Sequence, residues 1–278
     1  MRKNFPLASV EALGSVPSTL LIPLAARARG GAMFAHLDPH DRHSQSVLDA
    51  TGVNAETILS DRVTVLTILW RTELIKRMGR EFFARHPQGQ GINLGAGLSR
   101  YFQWFDNGAN NWLDIDLPTV IALRRRFCGE LPKHCRNQSL DITQANWWRL
   151  LSGRKGRSEV PALLICEGVL MYFAPDSVKA VLQEIGDNAP PGSEVILDFM
   201  SPHWLGHAAS HPSVASTGAE FTWGVHSGQE LADMHPRLKV LEQHSLSEAY
   251  GFAAQMAEHF WHPYTGGAMY GLVRLGLG

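Results

Sequence analysis

From Gly91 to the end of the chain, short apolar runs alternate with stretches of helical periodicity, and this constrains the fold more than any other feature. Apolar runs separated by amphipathic helices cannot close as hairpins, so they assemble as a parallel sheet with helices packed over its faces. The expected strands are Gly91–Gly97, Trp112–Leu117, Cys135–Leu140, Ala162–Cys166, Val195–Met200, Leu238–His244 and Ala268–Leu275. The clearest intervening helix is Asp176–Asp187, where Val178, Val181, Leu182 and Ile185 share one face and Pro190-Pro191-Gly192 stops the element.

The segment before Gly91 is different in texture. Ser60 or Asp61 is placed to cap a long helix in which Val63, Leu66, Trp70, Leu74 and Met78 form an apolar stripe, ending near His86-Pro87. Residues 1–88 therefore read as a helical cap over a core of residues 89–278. Within that core Ser201–Gly228 is long, weakly periodic and rich in His, Ser and Trp, the texture of a substrate-facing insertion.

In an open sheet of this kind ligands bind beyond the carboxyl ends of the strands, and glycines in the first strand-to-helix turn let a ligand approach the backbone. Gly95-Ala96-Gly97 stands there, spaced as in a dinucleotide-binding turn but with Arg100 at the third glycine position. The second strand ends in Asp114-Ile115-Asp116; Asp116, nearer the tip, is placed to accept both hydroxyls of a ribose or to cap the helix that starts at Leu117-Pro118. Asp141 follows the third strand. Glu167 follows the fourth, between apolar segments, so its carboxylate requires a cationic partner: a ligand ammonium, or a basic residue such as Arg71.

Composition narrows the partner. With 278 residues, 45% hydrophobic, 18% charged and a net charge of −1, the chain has no electrostatic footprint for nucleic acid, and no apolar run approaches the length a bilayer requires. Cys128, Cys135 and Cys166 have neither disulfide-framework nor zinc spacing, no H-E-x-x-H or similar set suggests a metal, and MRKNFPLASV lacks the apolar core of an export signal. A cytoplasmic protein with a small-molecule partner is expected; the oligomeric state is open.

Five segments taken together, NLGAGLSR, WLDIDLPTVIALRR, SLDIT, LICEGVLMYF and VILDFMSP, resemble in the same order the motifs of the leucine carboxyl methyltransferase superfamily, most closely its bacterial polyketide-synthesis branch. The resemblance spans about Trp70 to Pro202. It implies a Rossmann-like, S-adenosylmethionine-dependent methyltransferase fold, a mostly parallel seven-stranded sheet whose last strand is antiparallel. It also implies that Gly95 and Gly97 face the methionine part of the cofactor, Asp116 takes the ribose hydroxyls, Asp141 and Ile142 lie by the adenine, and Glu167 lies by the amino group. Trp70-Arg71-Thr72 matches an Arg-Thr pair of the family, which implies that Arg71 holds the cofactor carboxylate as a fork. The family reads G-A-G-L-D-T-R after the first strand; here Ser99 replaces the aspartate and Arg100 comes one residue early.

The expected activity is O-methylation of a small molecule, at a carboxylate or a phenolic hydroxyl. A carboxylate is ionised at neutral pH and needs no base; a phenol, with a pKa of about 10, needs one. Tyr172 and His203 are the candidate catalytic groups, and Trp204, Phe221, Trp223 and His226 the candidate acceptor wall. Protein C-terminal carboxyl methylation, a nicotinamide-dependent oxidoreductase and a binding module without turnover are the alternatives.

Overall fold

The computed structural model describes residues 19–152, 159–211 and 214–278. Residues 1–18 of the expected cap and 212–213 of the expected insertion lie outside the described residues. No described helix is long and apolar enough to cross a membrane.

Seven strands, β1 (Gln90–Leu94), β2 (Asn111–Asp116), β3 (Cys135–Ser139), β4 (Ala162–Cys166), β5 (Glu194–Met200), β6 (Leu238–Ser245) and β7 (Tyr270–Leu277), form one sheet in the order β3-β2-β1-β4-β5-β7-β6. The pairs β3·β2, β2·β1, β1·β4 and β4·β5 are parallel, and β7 is inserted antiparallel between β5 and β6. This is the expected Rossmann-like methyltransferase sheet. Its winding reverses between β1 and β4, so the crevice beyond these two strands is the topological binding position.

Strand ends differ from expectation for physical reasons. β1 stops at Leu94 because Gly95 and Gly97 adopt φ of +67° and +53°, incompatible with extended backbone. β7 runs on to Leu277 because it is paired on both sides, with β5 and β6, which satisfies its backbone groups through the terminal glycines.

The main helices are α1 (Leu21–Arg29), α2 (Arg42–Thr51), α3 (Arg62–Arg85), α4 (Pro118–Phe127), α5 (Pro175–Asn188) and α6 (Phe252–Thr265). Asp61 caps α3, accepting from Thr64 N at 3.1 Å. Of the expected stripe Leu66, Trp70 and Met78 are buried, whereas Val63 is exposed. α5 begins on Pro175, already set to helical φ, and buries Val178, Val181, Leu182 and Ile185 against the sheet. Cys128, Cys135 and Cys166 are buried free thiols.

Candidate active site

A cavity of about 660 Å³ opens over the carboxyl ends of β1, β2, β3 and β4. Arg71, Gly95, Gly97, Asp116, Asp141, Ile142 and Glu167, the seven residues expected to hold a cofactor, all line it.

The turn after β1 is built from both sides. A Cβ on Gly95 would lie 2.4 Å from Val169 Cγ2, so only glycine fits and the backbone itself faces the cavity. Gly97 N donates to Asp116 Oδ2 at 2.7 Å, and Leu117 N donates to Asp116 Oδ1 at 2.7 Å. Asp116 therefore ties the glycine turn to the start of α4 and keeps lone pairs on both oxygens for further donors. Burial pushes its pKa up, against the two backbone donors and Arg124.

Beneath the turn lies Arg124, fully buried and ion-paired through Nη2 with the buried Asp114. Its Nη1 donates to Gly97 O at 2.8 Å and Ser99 O at 2.7 Å, and its Nε to Asn137 Oδ1 at 3.1 Å. One guanidinium fork thus holds the carbonyls of the turn. Ser99 is absorbed into the same knot: its hydroxyl donates to Ala96 O at 2.7 Å and accepts from Asn93 Nδ2 at 3.3 Å. Arg100 points elsewhere, donating to Cys128 O and Glu130 O beyond the end of α4.

At the other side of the crevice Glu167 is paired within the chain. Its Oε1 accepts from Arg71 Nε at 2.6 Å, and its Oε2 accepts from Arg27 Nη1 at 3.2 Å and from the Tyr101 hydroxyl. Burial opposes ionisation, but Arg71 and Arg27 override it and hold the carboxyl down at about 2. Arg71 Nη1 also reaches Asp198 Oδ2 at 3.0 Å and Tyr270 OH at 2.6 Å. The pairing of Glu167 with Arg71, one of the two partners the sequence leaves open, is the arrangement present.

Sequence pattern alone assigns no role to Arg27, Tyr101, Asp198, Tyr270, Arg124 or Asp114. Asp198 stands inside the quoted VILDFMSP and Asp114 beside Asp116, but Arg27 lies in a helix without a distinguishing local pattern.

The remaining candidates divide. Tyr172, Trp204 and Phe221 line the cavity, the rings of Tyr172 and Phe221 lying 5.8 Å apart. His203, Trp223 and His226 do not: Trp223 is buried in the main core, and His203 lies 2.9 Å from Ser201 Oγ through Nδ1 with its ring 6.3 Å from that of His226. A different histidine of the same segment, His211, takes the place at the cavity wall, its ring 6.3 Å from Trp204 and 5.9 Å from Phe221 in edge-on geometry. Burial lowers its pKa below 6.5, with Asp61 opposing, and its Nδ1 has no hydrogen-bond partner among the described residues. Burial likewise raises the Tyr172 phenol to about 12.

Fold and site define the class: a Rossmann-like methyltransferase of the S-adenosylmethionine-dependent type. The family model described as leucine carboxyl methyltransferase matches residues 18–186, and the chain belongs to that family. It is 29% identical over 242 residues to the tetracenomycin polyketide synthesis O-methyltransferase TcmP of Streptomyces glaucescens, covering 85% of each chain. It is 26% identical to the S-adenosyl-L-methionine-dependent methyltransferase dpfgK of Gibberella zeae, covering 90% of this chain and 87% of that one. Among solved structures, a candidate methyltransferase from Thermobifida fusca shares the fold with a TM-score of 0.56 at 15% identity, covering 96% of both chains.

Proposed function

We propose that this chain transfers the methyl group of S-adenosylmethionine to an oxygen of a small, largely apolar organic molecule. The observation that carries this is the division of a single cavity. One end holds Gly95, Gly97, Asp116, Asp141, Ile142 and Glu167; the other is walled by Ile68, Met171, Tyr172, Trp204, His211 and Phe221. Helices α1 to α3 act as the cap of this cavity, and the Ser201–Gly228 segment as its acceptor wall.

The cofactor, when bound, supplies a methyl group already activated on a sulfonium. The chain's own residues bind and align. Asp116 accepts the ribose hydroxyls with the lone pairs left after its two backbone bonds, the glycine turn gives close approach, and the Arg71–Glu167 pair presents one charge for each end of an amino acid. Alignment of acceptor oxygen and methyl group with exclusion of water is the main requirement, and the apolar walls meet it.

The acceptor end favours a hydroxyl. The two guanidinium groups lining the cavity, Arg27 and Arg71, both meet Glu167 at the cofactor end, and Ile68, Met171, Tyr172, Trp204, His211 and Phe221 offer an acceptor carboxylate no fixed cation. His211, neutral at pH 7 because burial outweighs the field of Asp61, is the base for a phenol-like hydroxyl.

Calorimetric titration with S-adenosylhomocysteine, NAD and NADP, followed by a labelled-donor screen of phenols and organic acids, tests the reading. Binding of S-adenosylhomocysteine alone and labelled product from phenols are expected. Absence of S-adenosylhomocysteine binding overturns the methyltransferase assignment; label transferred to organic acids and not to phenols overturns the hydroxyl acceptor.

A further inference from the structure

None of the described side chains of the helix α6 is buried. Its described side chains are exposed or half-exposed, and Phe252, Met256, Phe260 and Tyr264, spaced four residues apart, are 77%, 37%, 70% and 78% exposed. A row at every fourth position is the ridge by which helices interlock. Helices in water are held mainly by burying an apolar face, and this fourteen-residue helix leaves four large apolar side chains largely uncovered by the described residues.

Its attachment points the same way. Glu258 accepts from Ser245 Oγ at 2.7 Å and from the Ser247 hydroxyl, fastening the helix to the end of β6, the edge strand of the sheet. The helix is thereby held by its polar side while the aromatic row faces outward.

We propose that α6 is the interface of a two-fold homodimer, in which the Phe252–Tyr264 row of one copy packs against the same row of the other. Three observations select a second copy. First, the segment FAAQMAEHFWHPYT has no Lys or Arg, and its single acid is engaged by Ser245 and Ser247, so a symmetric approach brings no fixed like charges together. Second, that lack of basic residues removes the attraction an interfacial helix needs for an anionic membrane. Third, the area suits a dimer: Tyr250, Phe252, Met256, Phe260 and Tyr264 together expose roughly 600 Å², most of the ~800 Å² each partner contributes to a standard interface. The interface is isologous, and the two helices cross at about −50° as i±4 ridges interdigitate.

Light scattering coupled to size-exclusion chromatography on the full chain tests this. The expected mass is twice 30.7 kDa for the wild type. For Phe260→Glu and for Phe252→Ser with Tyr264→Ser it is 30.7 kDa, with S-adenosylhomocysteine affinity unchanged within threefold. The affinity reports that each variant is folded and is read separately from the mass, so failure of the methyltransferase reading leaves the dimer result standing. A monomeric wild type at 100 µM overturns the proposal, whether the row then captures a different protein or vesicles of anionic lipid. A dimer that persists in both folded variants overturns it equally.

Discussion

Arg71 Nε lies 2.6 Å from Glu167 Oε1, both side chains buried, and this single contact joins the long N-terminal helix to the end of β4 across the crevice where a cofactor would lie. Glu167 carries the partner load for two guanidinium groups, since Arg27 reaches its other oxygen at 3.2 Å.

Removing that charge is expected to be expensive. Glu167→Gln keeps the shape but takes from Arg71 and Arg27 the carboxylate they share, leaving Arg71 to Asp198 and Arg27 to Asp41 at 3.6 Å, and breaking a buried pair costs about 3–5 kcal/mol. Calorimetric unfolding should show a fall in Tm of about 10 °C, with weaker S-adenosylhomocysteine binding. A variant as stable as wild type and binding the ligand equally would show that neither role belongs to Glu167.

The glycine turn is held from beneath by Arg124, and a fork rather than a charge is what it needs. Arg124→Lys retains the positive charge beside Asp114 but cannot reach Gly97 O, Ser99 O and Asn137 Oδ1 together. S-adenosylhomocysteine affinity should fall about tenfold, equal to about 1.4 kcal/mol, while the variant remains folded. Unchanged affinity would mean that the turn holds its shape without the fork.

How far the sequence reaches can be judged from these same residues. The buried strands β4 and β5 are legible as apolar runs bounded by turn residues, whereas β3, CRNQS, and β6, LKVLEQHS, are largely polar strands at the two edges of the sheet. The cofactor end was legible because Gly95, Asp116 and Glu167 sit at strand tips, where the topology of the fold dictates a site. Arg27 and Tyr101 were not, because their meeting with Glu167 spans 140 and 66 positions and leaves no local pattern. The acceptor wall was half legible for the same reason. Trp204 and Trp223 look alike as residues of one irregular segment, and only packing sends the first to the cavity and the second to the core. His203 and His211 are likewise indistinguishable until the backbone between them folds into successive short turns.

Acid should separate the buried carboxyls by sign. Glu167, held at about 2 in the folded chain against an ordinary 4.5, contributes stability that is complete above pH 4.5 and is lost as pH falls toward 2. Burial raises Asp116 and Asp198 instead, so their protonation relieves a cost as pH falls. Burial also holds His43 down at about 4 and lowers His211, so both imidazoles resist the proton that the unfolded chain takes up below 6.5. Denaturant titrations should therefore show a decline that begins near pH 6.5, is partly offset by Asp116 and Asp198, and steepens below 4.5 as Glu167 is protonated. Stability unchanged from pH 7 down to pH 3 would contradict the assignment of His43, His211 and Glu167 as lowered groups.

The last prediction decides the acceptor chemistry through His211. For a phenolic acceptor, the imidazole must be neutral to take the proton; its lowered pKa makes it so throughout the neutral range, with Asp61 the opposing charge and Tyr172 un-ionised beside the same wall. Turnover should be flat between pH 6.5 and 8 and fall at lower pH as His211 protonates. His211→Ala should lower kcat by about 10²-fold or more and abolish that acidic limb, with S-adenosylhomocysteine affinity unchanged, because the cofactor end of the cavity is untouched. His203→Ala, outside the cavity, should leave both rate and profile intact. If His211→Ala instead keeps its rate within a few-fold and its profile stays flat, the acceptor oxygen arrives already ionised, and the chemistry is carboxylate methylation without a base.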